Sequence, residues 1–231
     1  MRYPFSASEL KLKRARQHLT ELQTELGAYI QSEPMKFILN PTEKNGKPDI
    51  LLTIEITTLP SCIGAIIGDV IHNLRTALDL AACDAVRAAG GNDSDVYFPF
   101  CKTSDELEAM IKKRKIHRAG LAAVELIRDL KPHHNGNFAL RAIHDLDIYD
   151  KHEAIIPGLF EFRSPTINNF DDDGAFSPTA VPGTGGFDFA FPPVIGMEGR
   201  RLIPTLHELV QLVDGIVIAF RALANRDEPT P

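Results

Sequence analysis

Two stretches of this sequence hold the side chains best suited to moving protons, fixing an anion or ligating a metal. The first is Asp69-Val-Ile-His72-Asn73-Leu-Arg75-Thr76-Ala-Leu-Asp79. Turned at about 100° per residue, it places Ile67, Val70, Ile71, Leu74, Leu78 and Ala81 on one side of a helix. Asp69, His72, Thr76, Asp79 and Cys83 form the opposite stripe, with Asn73 and Arg75 at its edges. Any amphipathic helix has a polar face, but this stripe contains no Lys or Glu, the usual fillers of a solvated one. Short carboxylates, an imidazole and a guanidinium suit fixed positions, in a buried network or around a ligand.

The second stretch is Arg141-Ala-Ile-His144-Asp145-Leu-Asp147-Ile-Tyr149-Asp150-Lys151-His152. His144, Asp147 and Lys151 share one helical face, and Arg141, Asp145 and His152 another. Ordinary helix chemistry accounts for part of this: Asp147 and Lys151 are four apart, and Lys151 and His152 complement a helix C-terminus. Taken together, Asp69-x-x-His72 and His144-x-x-Asp147 each set a carboxylate and an imidazole one turn apart. Such pairs on facing helices are how bundles hold two metal ions, although those sites use Glu and more carboxylates than these segments offer. The expected site is therefore a polar seam between two helices. It comprises Asp69, His72, Asn73, Arg75, Asp79, Arg141, His144, Asp147, Asp150, Lys151 and His152, with no metal or cofactor assigned. It is read as a structural or ligand-binding module, and a metal-dependent hydrolase is an alternative.

A third cluster, Lys112-Lys113-Arg114-Lys115-Ile-His-Arg118, carries five formal positive charges in seven residues. Clustered cations release counterions from a polyanion, so Lys112, Lys113, Arg114, Lys115 and Arg118 are candidates for phosphate contact. A solvated helix end is the plainer account of the same run.

Helices must position these groups. An apolar series Leu12, Ala15, Leu19, Leu22, Leu26, Tyr29 predicts a helix over 6–31, opened by a capping box of Ser6 and Glu9. Segments 36–40 and 49–57 flank the turn pair Asn45-Gly46, and Leu52, Ile54 and Ile56 alternate with polar residues, which predicts a hairpin with one buried face. Further helices are expected over 62–89, over 105–115 behind a Thr103/Glu106 capping box, over 121–130, over 137–151 and from near Pro204 onward. Segments 154–163 and 187–191 read as strands, and 168–186 as a mobile loop between them. The fold class is α+β and helix-dominated: one domain over 1–231, a helical bundle with a small, mostly antiparallel sheet packed against it.

The motif Gly68-Asp69-x-x-His72-Asn73-Leu74-Arg75-x-Ala77-Leu78-Asp79, followed by Leu146-x-x-x-Asp150-Lys151-His152, resembles a family of uncharacterised bacterial proteins over roughly 62–152. That resemblance brings no activity with it. A more distant likeness is to HEPN domains, helical RNases and nucleotide-associated proteins that work as dimers around an Arg-x4-His motif. It implies a histidine at position 80, where this chain has Leu80. In such a site the arginine steadies phosphorane-like charge and the histidine moves the proton. Arg75 matches the first role and Leu80 lacks the second, so a metal-independent RNase or nucleic-acid-associated protein is an alternative.

Composition bounds the rest. The 231 residues carry a net charge of −6, which argues against a protein held on nucleic acid by bulk charge. Residues 145–173 hold eight acidic residues against Lys151 and Arg163, so that stretch alone sums to −6. Three cysteines, an odd number, fit a reducing interior better than a disulfide scaffold, and a cytoplasmic setting is expected. The strongest apolar run, 215–220, falls short of the roughly 20 residues of a membrane helix, so no membrane partner is expected. No phosphate-binding glycine motif, Cys-x-x-Cys or Gly-x-Ser-x-Gly is present. The heptad-like first helix and the apolar last one raise self-association as a homodimer.

Overall fold

The computed structural model describes residues 4–44, 46–155, 157–162, 187–193 and 196–225. The expected loop at 168–186 lies outside them. Helix α1 (Ser6–Gln31) buries Leu12, Ala15, Leu19, Leu22, Leu26 and Tyr29, the predicted stripe, against α2 (Cys62–Ala88) and α6 (Leu202–Ala224). The stripe that raised dimerisation is thus consumed by the protein's own core. Phe5, not Ser6, is the N-cap of α1; it has a left-handed backbone and its N–H donates to Asp84 Oδ2 at 3.0 Å. Glu9, the expected partner in the capping box, instead pairs with Arg221 of α6.

Helix α2 is the centre of the bundle, with α1, α5 (Phe138–Asp150) and α6 packed on it. Ile63, Ile67, Val70, Ile71, Leu74 and Leu78 are fully buried, each stabilising the fold by roughly 1.5–3 kcal/mol relative to exposure. Helix α6 is 23 residues and long and apolar enough to cross a membrane by length and composition, more than the run at 215–220 indicated. Leu206, Leu209, Val213, Val217 and Phe220 on it are buried in the core. The apolar character continues upstream because Leu202 and Leu206 begin the same buried face.

The architecture is helix-dominated α+β, and among the described residues its strands form two separate antiparallel ribbons. Strands β1 (Met35–Lys44) and β2 (Lys47–Ile56) pair with Lys44 opposite Lys47, and β3 (Gly158–Phe162) pairs with β4 (Phe187–Ala190). The first ribbon pairs its two strands with each other and is tied to the helices at its base, where the Tyr29 hydroxyl donates to the Thr57 carbonyl at 2.6 Å. Ile56, at the end of β2 on the face expected to be buried, is 51% exposed, whereas the exposed Leu51 and Ile38 lie on the opposite face. The second ribbon lies against α6 through β4.

The expected 105–115 helix is broken into a 3₁₀ turn (Ser104–Glu106), α3 (Leu107–Lys113) and a second 3₁₀ turn (Ile116–Ala119). Glu106 accepts from the Lys102 N–H at 2.9 Å, so the acidic member of the capping box acts one residue earlier than the Thr103 spacing implied. Lys115, in a left-handed conformation (φ 61°), ends the α-helical path. Helix α4 (Leu121–Leu130) follows, and Asn137 caps α5 by accepting from the Leu140 N–H at 3.0 Å.

Candidate functional site: a polar seam and the cleft beside it

Helices α2 and α5 run antiparallel, and their two motifs meet turn by turn. Gly68 faces Asp150, His72 faces Asp147, and Arg75 faces His144. A Cβ at position 68 would overlap the Asp150 carboxyl group, so only glycine lets that carboxylate lie on the α2 backbone. Burial, then the neighbouring Asp147 and Asp69 carboxylates, push the Asp150 carboxyl above its usual range.

One turn along, Asp147 is buried at 6% exposure and accepts from His72 Nδ1 at 2.9 Å and from Lys151 Nζ at 2.6 Å. Burial alone would raise this carboxyl, but the hydrogen bonds from Lys151 and His72 outweigh it and hold the group below its ordinary range. An ionised Asp147 accepts only, so His72 carries its proton on Nδ1. Thr76 Oγ1 then lies 3.4 Å from His72 Nε2.

The next turn is the most enclosed. Arg75 pairs with Asp79 on its own helix and its Nε donates to His144 Nδ1 at 3.4 Å. The Arg75 guanidinium sits 4.7 Å over the Phe100 ring, and His144 stacks on Phe100 with centroids 5.0 Å apart and planes 9° from parallel. Asp79 also accepts from the Phe98 N–H at 2.8 Å, which fixes the segment that delivers Phe100. Burial, followed by the Arg75 and Arg141 charges, lowers the His144 pKa to about 4. The ring is neutral at pH 7, with Nδ1 accepting.

Arg141 completes the arrangement. It is 6% exposed, grips Asp145 through two hydrogen bonds of 2.6 and 3.0 Å, and donates to the Cys101 carbonyl at 3.1 Å. Asp145 also accepts from His134 Nε2 at 2.8 Å. Arg141 and His144 form one wall of a cleft of about 480 Å³. Phe100, Cys101 and Lys102 contribute to it from the segment before α3, and Met110, Lys113 and Arg114 from α3 and its end. A second hollow of about 430 Å³ lies on the outer face of α5, lined by His134, Asp145, Tyr149 and His152 among others.

The sequence-derived candidates are therefore divided. His72, Asp147 and Lys151 are brought together, as are Arg75, Asp79 and His144. Asn73 turns inward and donates to the Asp69 carbonyl at 2.7 Å, which leaves it a helix-satisfied core group. Asp69 is exposed beside Asp150, and His152 leaves the seam for the outer hollow. The metal reading lacks its ligand set: among the described residues, no group of three or more His, Cys, Asp or Glu could hold an ion. The carboxylate–imidazole pairs bond to each other and to Lys151 instead.

The basic run is also split. Lys115 pairs with Asp95 at 2.8 Å, Arg118 donates to the Asn92 carbonyl at 2.8 Å, and Lys112 lies by Glu108. Arg114 lies over Tyr97, and only Lys113 and Arg114 reach the cleft. Sequence reasoning passed over Phe100, Lys102 and Met110. The Phe98-Pro99-Phe100 triplet was the available signal, since two aromatics around a proline in a non-helical segment demand a fixed place in the core. The chain matches no known protein family, no curated protein and no solved structure, so the site is interpreted from its own chemistry.

Proposed function

We propose that this protein is a ligand-binding module, and that the α2–α5 seam is the rigid back of a cleft that receives a small molecule without turning it over. The observation that carries the reading is the state of His144. It is a neutral imidazole stacked on the Phe100 ring and bonded by the Arg75 guanidinium, with the Arg141 charge nearby, and one side opens on a cavity of about 480 Å³. Groups fixed in this way present a defined surface at little cost in conformational entropy on binding. The reading is tested by histidine-selective NMR with a panel of small molecules of mixed charge. A saturable shift of the His144 ring signals by at least one compound is expected. A panel that leaves His144 unmoved would leave the seam as a purely structural network.

One contact favours a second reading, the HEPN-like RNase. Although position 80 is leucine, His144 from α5 lies 3.4 Å from Arg75, so an imidazole accompanies the arginine by another route. Arg75 is committed to Asp79 and Phe100 and its side chain is 11% exposed, which weighs against its meeting a phosphodiester. Cleavage of a mixed RNA pool without added metal, abolished by Arg75→Ala and His144→Ala, would favour this reading over simple binding.

A further inference from the structure

We infer that the cleft between α3, the 100–102 segment and α5 binds a small organic anion, with a carboxylate or phosphate head at its cationic rim and an apolar body against Phe100 and Met110. This rests on the ligand-binding reading above and assigns the chemical class of the ligand. Three independent elements supply positive charge to one cavity: Lys102 before α3, Lys113 and Arg114 at the end of α3, and Arg141 on α5. Glu106 is the acidic lining residue, and its carboxylate already accepts from the Lys102 backbone N–H.

Most basic side chains around this region are already engaged. Arg87 pairs with Asp84 and Asp93, Lys115 with Asp95, and Arg128 with Glu108. Arg141 is held by Asp145, so it contributes shape and a fixed dipole more than free charge. Lys102 and Lys113 are exposed and, among the described residues, neither ammonium has an ion-pair partner. Arg114 has the face of Tyr97. Two unpaired ammonium groups and a guanidinium around one cavity leave it positive in a chain whose net charge is −6. These cations outnumber the single Glu106 carboxylate, and a cleft of net positive charge with low-dielectric walls concentrates anions.

The floor is consistent with the same ligand. Phe100 and Met110 provide an apolar surface, and His144, kept neutral by burial and by Arg75 and Arg141, brings no charge of its own and takes part as a hydrogen-bonding group. Its Nδ1 accepts from Arg75, so its Nε2–H is the donor available to an acceptor oxygen. A bare inorganic ion would leave the apolar half of the cavity unfilled.

The test is calorimetric titration of the full chain with phenyl phosphate, benzoate and the uncharged benzyl alcohol, each followed by histidine-selective NMR. Both anions are expected to bind at least tenfold more tightly than benzyl alcohol, and to bind more weakly as salt is raised. Lys113→Glu and Lys102→Glu, both at exposed positions, are each expected to weaken the anions tenfold or more. Lys112→Glu, one residue away and outside the cleft, should change affinity less than threefold. Preference for phenyl phosphate over benzoate would name phosphate as the head group, and the reverse would name carboxylate. Benzyl alcohol shifting His144 as strongly as the anions, or anion affinity unchanged in Lys113→Glu, would overturn this assignment and leave the ligand-binding reading standing. Silence of His144 toward every probe would overturn both. Binding of a short RNA that depends on Lys113, with no response to either small anion, would overturn it in favour of a polymer.

Discussion

Replacing Arg141 by methionine should be among the most damaging single substitutions on the cleft wall, and its magnitude can be worked from its contacts. The guanidinium is 6% exposed and makes two charge-assisted hydrogen bonds to Asp145 and one to the Cys101 carbonyl. Methionine keeps most of the apolar stem, so little packing is lost. Removing one partner of a buried ion pair costs about 3–5 kcal/mol. The lower end applies, because Asp145 is 13% exposed and retains His134 at 2.8 Å. The orphaned Cys101 carbonyl adds about 1 kcal/mol, which puts the total near 3–4 kcal/mol. For a urea dependence of about 3 kcal/mol per molar, the unfolding midpoint should fall by about 1 M. Arg141→Lys should recover roughly half of the loss, since an ammonium cannot reproduce the fork. A cycle with Asp145→Asn should show a coupling of about 2 kcal/mol. Amide hydrogen exchange in 100–102 should accelerate, because the Arg141 bond to the Cys101 carbonyl ties that segment to α5 alongside the stack of Phe100 on His144. A loss under 1 kcal/mol for Arg141→Met would refute the reasoning, since the wall would then be held by something other than this side chain.

Three further outcomes follow from the seam. His144 is held near pKa 4 when folded, against 6.5 for a free imidazole. The stability tied to its neutral form is complete above pH 6.5 and is lost as pH falls toward 4. The ceiling is about 3 kcal/mol, and solvent reaching the partly exposed ring reduces it to about 2 kcal/mol. His144→Phe should flatten the urea midpoint between pH 6.5 and 4.5 relative to wild type; parallel curves would contradict this. Gly68→Ala should destabilise the protein despite a helix-propensity gain of about 1 kcal/mol, because the new Cβ meets the Asp150 carboxyl. In an Asp150→Ala background the same change should become stabilising, as read by thermal unfolding. Asp147→Ala should cost only about 1–2 kcal/mol, because His72 and Lys151 are 54% and 56% exposed and recover water as a partner. A loss above 3 kcal/mol would mean that the pair is far more enclosed than described.

The sequence made the helical skeleton legible because burial stripes repeat with the helical period. The 6–31 and 121–130 boundaries coincide with α1 and α4, and the apolar face of 62–89 is the buried face of α2. The polar stripe of α2 and the 141–152 segment could be seen to be chemically unusual, and their pairing is geometric: antiparallel helices align 68, 72 and 75 with 150, 147 and 144. What periodicity does not encode is how a non-helical segment crosses the helices. Phe100 and Lys102 enter the site through the Asp79 hydrogen bond to the Phe98 N–H, a contact between groups nineteen residues apart. Ile56 at the end of β2 departs from expectation for a related reason, since alternation marks a face as apolar but not whether anything covers its last residue. The basic run was visible as charge, yet partners at Asn92 and Asp95 decide which of its members are free.

The central claim is that His144 is a neutral imidazole, stacked on Phe100 and bonded by Arg75 in the wall of the cleft, with the Arg141 charge nearby. Its ring ionisation, followed by NMR of histidine-labelled protein from pH 7.5 down to the onset of acid unfolding, measures this most directly. The account predicts a resonance that stays neutral through pH 5 and titrates at about 4, assigned by its loss in His144→Phe. A His144 signal titrating near the free-imidazole value of about 6.5 would contradict it, because the ring would then be neither buried nor flanked by the two guanidiniums.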